Sequence, residues 1–235
     1  MDITSGISKE VGQIIKKLRS IADSKNVEGM ARFGIKSENA LILGVSIYGI
    51  RDIAKGIPKD HKLARRLWDS GIHEARHLAA IIDEPAKVTE KQMETWITDF
   101  DSWDLCDQVC ANLFDKTQFA YKKAFEWSAR KEEFVKRAGF VLMATLSVHD
   151  KKAMDETFEK FFPIIMREAY DDRNFVRKAV NWALRQIGKR NIRLNQKAIK
   201  VGEEIKKLDS KTARWIASDA LRELQSEKTQ KRLRK

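Results

Sequence analysis

The sequence predicts an all-α protein, an α-solenoid of stacked helix pairs that forms a single domain over residues 1–235. Apolar residues recur at the helical period in nearly every segment of the chain. Only three prolines and eleven glycines occur, too few for a turn-rich all-β protein. No Asn-Gly or Asp-Gly pair separates alternating apolar runs, so β-hairpins are not expected.

Local signals place individual helices in order along the chain. A first helix is predicted by the apolar stripe of Ile14, Ile15, Leu18 and Ile21. Thr89 to Gln92 has the form of a capping box, which predicts a helix start. The prolines fall near predicted helix starts, where a missing amide hydrogen costs little: Pro58, Pro85 and Pro163. Residues 226–235 are rich in Lys and Arg and are expected to form a basic helical tail.

A weak internal repeat indicates how the helices are arranged. FVKRAGFVL at 134–142 and FVRKAVNWAL at 175–184 both begin with an aromatic residue and place a basic residue three positions later. Segments 73–79 and 212–217 resemble this pattern more faintly. A spacing of about 30–40 residues is typical of HEAT-type helix pairs, which bury their apolar faces only by stacking. Because the repeated helices carry the basic residues, we expect a basic concave surface.

Composition limits the classes of function. The formal net charge of +12 and a pI near 9.6 favour a polyanionic partner such as nucleic acid. No apolar run approaches the roughly 18–20 residues needed to cross a bilayer. The N-terminus lacks the pattern of a secretory signal, so a cytoplasmic location is expected. In that compartment Cys106 and Cys110 are predicted to be free, buried thiols.

The segment His73–His77 matches the HExxH pattern of zinc hydrolases. A catalytic zinc ion needs a third protein ligand and an open position. Asp83 is about three helical turns from His73, and His61 and His149 offer no paired spacing. We therefore expect no metal here, and a solenoid helix with exposed histidines.

Two helices carry candidate site residues. On the helix 102–114, Trp103 and Asp107 lie together at one edge of the apolar arc. A boundary aspartate beside a core tryptophan would give the same pattern. On the helix 174–190, Trp182 falls on a basic face opposite the apolar stripe, together with Lys178, Arg185 and Lys189. That face suits phosphates and bases, and it suits equally a tryptophan packed under the aliphatic stems of Lys and Arg.

Four blocks of the chain resemble the HEAT-like-repeat DNA alkylation repair family, the alkylpurine DNA glycosylases of type D. The blocks keep the family's order and spacing between about residues 30 and 225: WDSGxxEAR at 68–76, Trp103 with Asp107, FVKR at 134–137 and NWALR at 181–185. The segment 29–35 departs from the family pattern, which often has a tyrosine there.

The resemblance implies a metal-independent DNA glycosylase that excises 3-methyladenine and 7-methylguanine from duplex DNA. It assigns catalysis to Asp107, flanked by Trp103 and Trp182, and phosphate contacts to Arg137 and Arg185. N-alkylation makes the purine a cationic leaving group, so an ionised carboxylate need only stabilise the charge that develops on the sugar. The indole faces would attract the cation.

The residues expected to contact DNA are the basic ones of the repeated helices: Lys136, Arg137, Arg177, Lys178, Arg185, Lys189, Arg190 and Arg214. No cofactor and no membrane are expected, and the protein should act as a monomer near the nucleoid of a prokaryotic cell. One alternative is a non-catalytic protein that binds branched or distorted DNA. Another is a HEAT scaffold for an acidic protein.

Overall fold

The computed structural model describes residues 3–37 and 39–234, with side chains described from residue 8 onward. Among these residues the regular structure is helical, apart from one isolated bridge between Leu41 and Ile72. The prediction of an all-α protein is therefore confirmed. The chain divides into an N-terminal unit, residues 1–118, and a C-terminal unit, residues 119–235. That the two act as the single predicted domain stays a prediction, as does the basic concave surface.

The N-terminal unit contains seven described α-helices and two short 3₁₀ turns, Pro85–Lys87 and Phe114–Lys116. The helices are α1 (Ile3–Ser20), α2 (Ser24–Arg32), α3 (Ile47–Lys55), α4 (His61–Trp68), α5 (His73–Ile82), α6 (Glu90–Ile97) and α7 (Trp103–Asn112). Helix α5 packs against α3, α4 and α7 and is central to this unit. Of the first predicted stripe, Ile14 and Leu18 are buried, whereas Ile21 is exposed.

The C-terminal unit contains eight described α-helices, four of which are 14–17 residues long. They are α8 (Ala120–Ser128), α9 (Glu133–His149), α10 (Asp155–Glu159), α11 (Phe162–Glu168), α12 (Asn174–Gly188), α13 (Ile192–Lys207), α14 (Lys211–Leu224) and α15 (Glu227–Leu233). Helix α12 packs on α9, α13 and α14. The two repeated sequences meet in register, because the rings of Phe134 and Phe175 lie 5.5 Å apart between centroids. The first residues of the two segments are therefore in contact, and the repeat itself stays a prediction.

Helix starts follow the chemistry that the sequence predicts. Thr89 caps α6, and its hydroxyl accepts a hydrogen bond from the amide of Gln92 at 3.1 Å. The Gln92 amide group does not return to Thr89 but donates to Asp83 at 2.8 Å. Pro85 and Pro163 occupy first turns, where no amide donor is required.

The basic tail is helical and docked. Helix α15 lies within it, and the Gln230 side chain donates to the Asn195 side chain at 3.0 Å and to the Leu224 carbonyl at 2.7 Å. Lys235 lies outside the described residues.

Candidate active site and nucleic-acid interface

Helix α7 presents the predicted tryptophan and aspartate at a partly exposed edge. The stripe beneath them is fully buried and consists of Leu105, Cys106, Val109 and Cys110. Trp103 and Asp107, one turn apart, are both partly exposed. The helical-wheel placement is therefore confirmed, and the buried stripe fixes the direction in which this edge faces.

The Trp103 indole is tied to the segment that follows α2. Its Nε1–H donates a hydrogen bond of 3.0 Å to the backbone oxygen of Phe33, whose own side chain is 75% exposed. One edge of the indole is thus held while the ring stays partly exposed. Phe33 belongs to the segment 29–35 that departs from the family pattern, so this segment positions the indole through its backbone.

The two cysteines of α7 are buried thiols, as predicted. Burial raises the pKa of Cys110 well above its ordinary value, and the neighbouring Cys106 and Asp107 raise it further. The Cys110 thiol is therefore neutral at physiological pH and is a poor nucleophile.

Helix α12 also has the predicted two faces. Its buried stripe consists of Val176, Val180, Ala183 and Ile187. Trp182, Arg185 and Lys189 are partly exposed and Lys178 is exposed. Trp182 thus lies off the core stripe, on a face where cations are its neighbours along the helix.

Two of the cations on α12 are paired with carboxylates of α14. Arg185 Nη1 and Lys189 Nζ lie 2.7 and 2.6 Å from the two carboxylate oxygens of Glu223. Arg185 also lies 3.6 Å from Asp219. Burial raises the pKa of Glu223, but these cations outweigh burial and lower the pKa, so Glu223 stays ionised. A phosphate at this position would compete with Glu223.

Three more predicted DNA contacts are engaged within the C-terminal unit. Arg137 is buried and donates to the Phe175 carbonyl at 2.6 Å. Arg190 donates to the carbonyls of Ser147 and Ala153. The Lys136 ammonium lies between the carboxylates of Glu168 and Asp171. Each of these side chains joins neighbouring helices or loops, and its predicted contact with DNA stays a prediction.

Of the three remaining predicted contacts, Lys178 and Arg214 are exposed and Arg177 is partly exposed. Lys178 is exposed on α12, and Arg214 on α14 is exposed and lies 3.4 Å from Asp209. The Arg177 guanidinium lies over the Trp215 ring at 5.0 Å, a cation–π contact that leaves donors at its edge. We define Arg177, Lys178 and Arg214 as the outer basic group.

The positive charge of the chain is concentrated in one unit. Residues 1–118 contain 17 basic and 18 acidic residues, a formal net charge of −1. Residues 119–235 contain 29 basic and 16 acidic residues, a formal net charge of +13. Attraction for a polyanion therefore originates in the C-terminal unit.

The histidines of the HExxH segment are buried, so the expectation that they are exposed was wrong. His73 is 1% and His77 4% exposed, because α5 is covered by α3, α4 and α7. Glu74 is fully buried and accepts backbone hydrogen bonds from the loop before α3: from Leu43 at 3.0 Å, Gly44 at 2.7 Å and Val45 at 3.2 Å. Its carboxylate thus holds this loop.

Gly44 is required for that arrangement. Its φ is +79°, in the left-handed region, and a Cβ at this position would lie 2.1 Å from the Asp23 carbonyl oxygen. The close approach lets the loop wrap around the Glu74 carboxylate.

The two imidazoles converge on the carboxylate of Asp104, which is 31 residues from His73 in the sequence. Asp104 Oδ2 lies 2.9 Å from His73 Nε2 and 3.3 Å from His77 Nε2, and the two Nε2 atoms are 3.1 Å apart. Asp83, His61 and His149 were the further ligands considered above, and the structure instead places Asp104 beside the two histidines. The expectation of no metal stays a prediction. Asp104 lies in the first turn of α7, three residues before Asp107.

This cluster has strongly shifted pKa values. Burial raises the pKa of Asp104, but the hydrogen bonds from His73 and His77 outweigh it and hold the pKa far below its usual range. Burial lowers the pKa of His73, but Asp104 outweighs burial and the net shift is upward. For His77 burial prevails and the pKa is lowered. Without an ion, Asp104 is thus a carboxylate and His77 a neutral imidazole.

The profile of a family described as "DNA alkylation repair enzyme" matches residues 14–224. The chain belongs to this family. Comparison with curated proteins found none that matches.

Among solved structures, one described as "a new family of proteins related to the HEAT-like repeat DNA glycosylases with affinity for branched DNA structures" is similar to this DNA alkylation repair family member. The TM-score is 0.74 at 19% sequence identity, over 94% of this chain and 95% of that chain. The likeness establishes a HEAT-like repeat fold.

Part of the pattern shared with the DNA alkylation repair family is structural. Trp68 and Trp96 are buried and stacked, with ring centroids 3.9 Å apart and an interplanar angle of 4°. The Trp68 indole N–H donates to Asp99 at 2.7 Å, and the buried Arg76 lies over the Trp68 ring at 5.4 Å. The WDSGxxEAR block therefore builds the core around α5 rather than an exposed surface.

The described helices include none long and apolar enough to cross a membrane. The expected monomer and the expected location stay predictions for this DNA alkylation repair family member.

Proposed function

We propose that the protein is a DNA glycosylase that removes cationic N-alkylated purines, 3-methyladenine and 7-methylguanine, from duplex DNA. The observation that carries the proposal is the edge of α7, where Trp103 and Asp107 are partly exposed one turn apart above a fully buried stripe. Membership in the DNA alkylation repair family supports this chemistry.

The reaction places few demands on the protein. An N-alkylated purine already carries a positive charge and leaves as a neutral base, so no general acid is needed. The cation that develops is on the sugar, and an ionised Asp107 stabilises it and orients the attacking water. The Trp103 face lies beside it, where cation–π attraction favours both the alkylated base and the developing sugar cation.

The C-terminal unit supplies the affinity for DNA in this proposal. Its formal net charge of +13 attracts the duplex, and the outer basic group, Arg177, Lys178 and Arg214, contacts phosphates. Trp182 offers its indole to a base or sugar. Arg185 and Lys189 can bind a phosphate only by giving up their ion pairs with Glu223. This competition limits what the two residues contribute to the affinity for DNA.

The test is base release from methylated duplex DNA by wild type and Asp107→Asn. Loss of the carboxylate charge should lower the rate of 7-methylguanine and 3-methyladenine release by about 100- to 1,000-fold. Duplex affinity should change little, because the substitution leaves the C-terminal unit untouched. Asp52→Asn is the matched control, since Asp52 is an exposed carboxylate of α3 in the same unit. Absence of release by wild type would reject the proposal.

A second candidate function is the recognition of branched DNA without base removal. It is favoured by the likeness to a structure from a family described as having affinity for branched DNA. In that case a four-way junction should displace duplex DNA from the protein at equal nucleotide concentration. The Asp107→Asn variant should bind the junction as tightly as wild type does. Tight junction binding with no base release would establish this second function.

A further inference from the structure

A triangle of ligand atoms joins helices α5 and α7 in the N-terminal unit. It consists of His73 Nε2, His77 Nε2 and Asp104 Oδ2, with separations of 2.9, 3.1 and 3.3 Å. Both histidines are at least nine-tenths buried. We refer to these three residues as the His–His–Asp triangle.

Hydrogen bonding alone does not satisfy the triangle. All three edges are of hydrogen-bond length, yet each neutral imidazole carries at most one proton at Nε2. If both carry it, the two N–H groups face each other at 3.1 Å. If one Nε2 atom lacks its proton, its lone pair faces the Asp104 carboxylate oxygen with no proton between them. A cation bound by the three lone pairs would satisfy all the edges together.

The separations match those of ligands around one transition-metal ion. With bond lengths of about 2.0–2.1 Å, ligand atoms lie about 2.9 Å apart at right angles and about 3.3 Å apart in a tetrahedron. The three observed separations span these values. Two imidazole nitrogens and one carboxylate oxygen also form a donor set that binds divalent first-row transition metals in preference to Mg²⁺ and Ca²⁺.

The triangle also has an open side. All three residues line a cavity of about 170 Å³, together with Gln108 one turn beyond Asp104. Such a volume admits water as an additional ligand, and the Gln108 side chain is a further candidate. The adjacent Glu74 and the nearby Asp101 add negative charge around His73.

We propose that the His–His–Asp triangle binds one divalent first-row transition-metal ion, of the class of Zn²⁺, with its remaining coordination positions facing the cavity. The ion ties α5 to α7 at the first turn of the helix that carries Asp107. This inference does not rest on the glycosylase proposal, because the ligands are outside the residues to which that activity is assigned.

The site is not that of a metallopeptidase, despite the HExxH spacing. In such enzymes the glutamate is the general base that activates the metal-bound water. Here the Glu74 carboxylate is occupied by the amides of Leu43, Gly44 and Val45 and is fully buried. The Nδ1 atoms of both histidines lack a hydrogen-bond partner. Loss of a hydrogen bond to the second nitrogen of a ligating imidazole weakens metal binding by about 10- to 100-fold. The affinity should therefore lie below that of a site whose histidines have such hydrogen bonds.

The test is titration of the untagged, full-length protein with Co²⁺ and with Zn²⁺. Co²⁺ should give a visible d–d spectrum distinct from that of the hydrated ion and saturating at one ion per chain. Zn²⁺ should displace the Co²⁺ and raise the melting temperature, because it binds only the folded chain. His77→Gln and Asp104→Asn should each weaken binding at least about 100-fold, since even outer partners contribute about 10- to 100-fold.

His149→Gln is the matched control, because it removes an exposed histidine from the end of α9 and should leave the titration unchanged. Circular dichroism of each metal-free variant establishes that it is folded, and the wild-type Co²⁺ spectrum is informative even if one variant is not. The inference is overturned if wild type shows only the spectrum of hydrated Co²⁺ at a large excess of the ion. It is also overturned if folded His77→Gln and Asp104→Asn both bind as wild type does, which would assign the ion to another place.

Discussion

The two units differ in the balance of their charged groups. The N-terminal unit has a formal net charge of −1 and places its most unusual polar groups, His73, His77 and Glu74, in the interior. The C-terminal unit has a formal net charge of +13, and its helices α9, α12 and α14 pack in series with cations at their edges. Attraction for a polyanion and the proposed chemistry therefore belong to different units, and each should be alterable alone.

Among the further substitutions, we expect the largest effect at Trp103, where the rate of base release should change much more than duplex affinity. Trp103→Ala removes the indole face next to Asp107. It should raise the activation free energy of base release by about 1–3 kcal/mol, which lowers the rate roughly 5- to 150-fold. Duplex affinity should fall much less, since the cations of the C-terminal unit remain.

Trp103→Phe refines the same measurement. It keeps a smaller aromatic face and loses the hydrogen bond to the Phe33 carbonyl, so release should be intermediate between wild type and Trp103→Ala. Equal losses of release and of duplex affinity in Trp103→Ala would mean that Trp103 serves binding rather than chemistry.

The next effect is on the packing of the C-terminal unit. A Cβ at Gly139 of α9 would lie 2.4 Å from the Ser128 amide nitrogen at the end of α8, a contact between backbones that no side-chain rotation relieves. Gly139→Ala should therefore destabilise the protein by about 1–3 kcal/mol in unfolding free energy. Urea unfolding followed by circular dichroism measures it, and an unchanged midpoint would show that α8 and α9 separate at little cost.

A smaller effect concerns the outer basic group. Lys178→Ala should weaken duplex binding by less than tenfold and reduce the slope of log K against log salt by about 0.9, the contribution of one phosphate contact. Lys55→Ala in the N-terminal unit is the control, because Lys55 is equally a surface lysine but is paired with Asp52 at 2.7 Å. Equal slopes for the two variants would contradict the assignment of DNA affinity to the C-terminal unit.

The smallest effect is a gain in stability. Gly12 lies within α1, where a Cβ would meet open space. Gly12→Ala should stabilise the protein by about 0.5–1 kcal/mol, because alanine lowers the entropy lost on helix formation. The sign is opposite to that of Gly139→Ala, and a thermal melt of both variants compares the two positions directly.

Features set by local sequence were predictable. The capping threonine at Thr89 and the two faces of α12 depend on residues within a few turns of each other, and the structure has them as expected. The contact of Phe134 with Phe175 was also predictable, because a repeated sequence implies a repeated packing position.

Contacts between distant segments were not predictable from local pattern. Asp104 is 31 residues from His73 and joins it only because α5 and α7 pack together. Similarly, a basic residue on a helix face does not reveal that Arg137 is buried against the Phe175 carbonyl. An apolar stripe identifies the face that is covered, but not which polar partner covers it.

The stacked pair Trp68 and Trp96 gives the N-terminal unit an internal optical signal. Two buried indoles with centroids 3.9 Å apart exchange excitation energy, and separating them exposes both to water and shifts their emission to longer wavelength. Replacing the other four tryptophans, Trp103, Trp127, Trp182 and Trp215, by Phe would leave the fluorescence of the stacked pair to follow the unfolding of the N-terminal unit, while circular dichroism follows the helices of the whole chain.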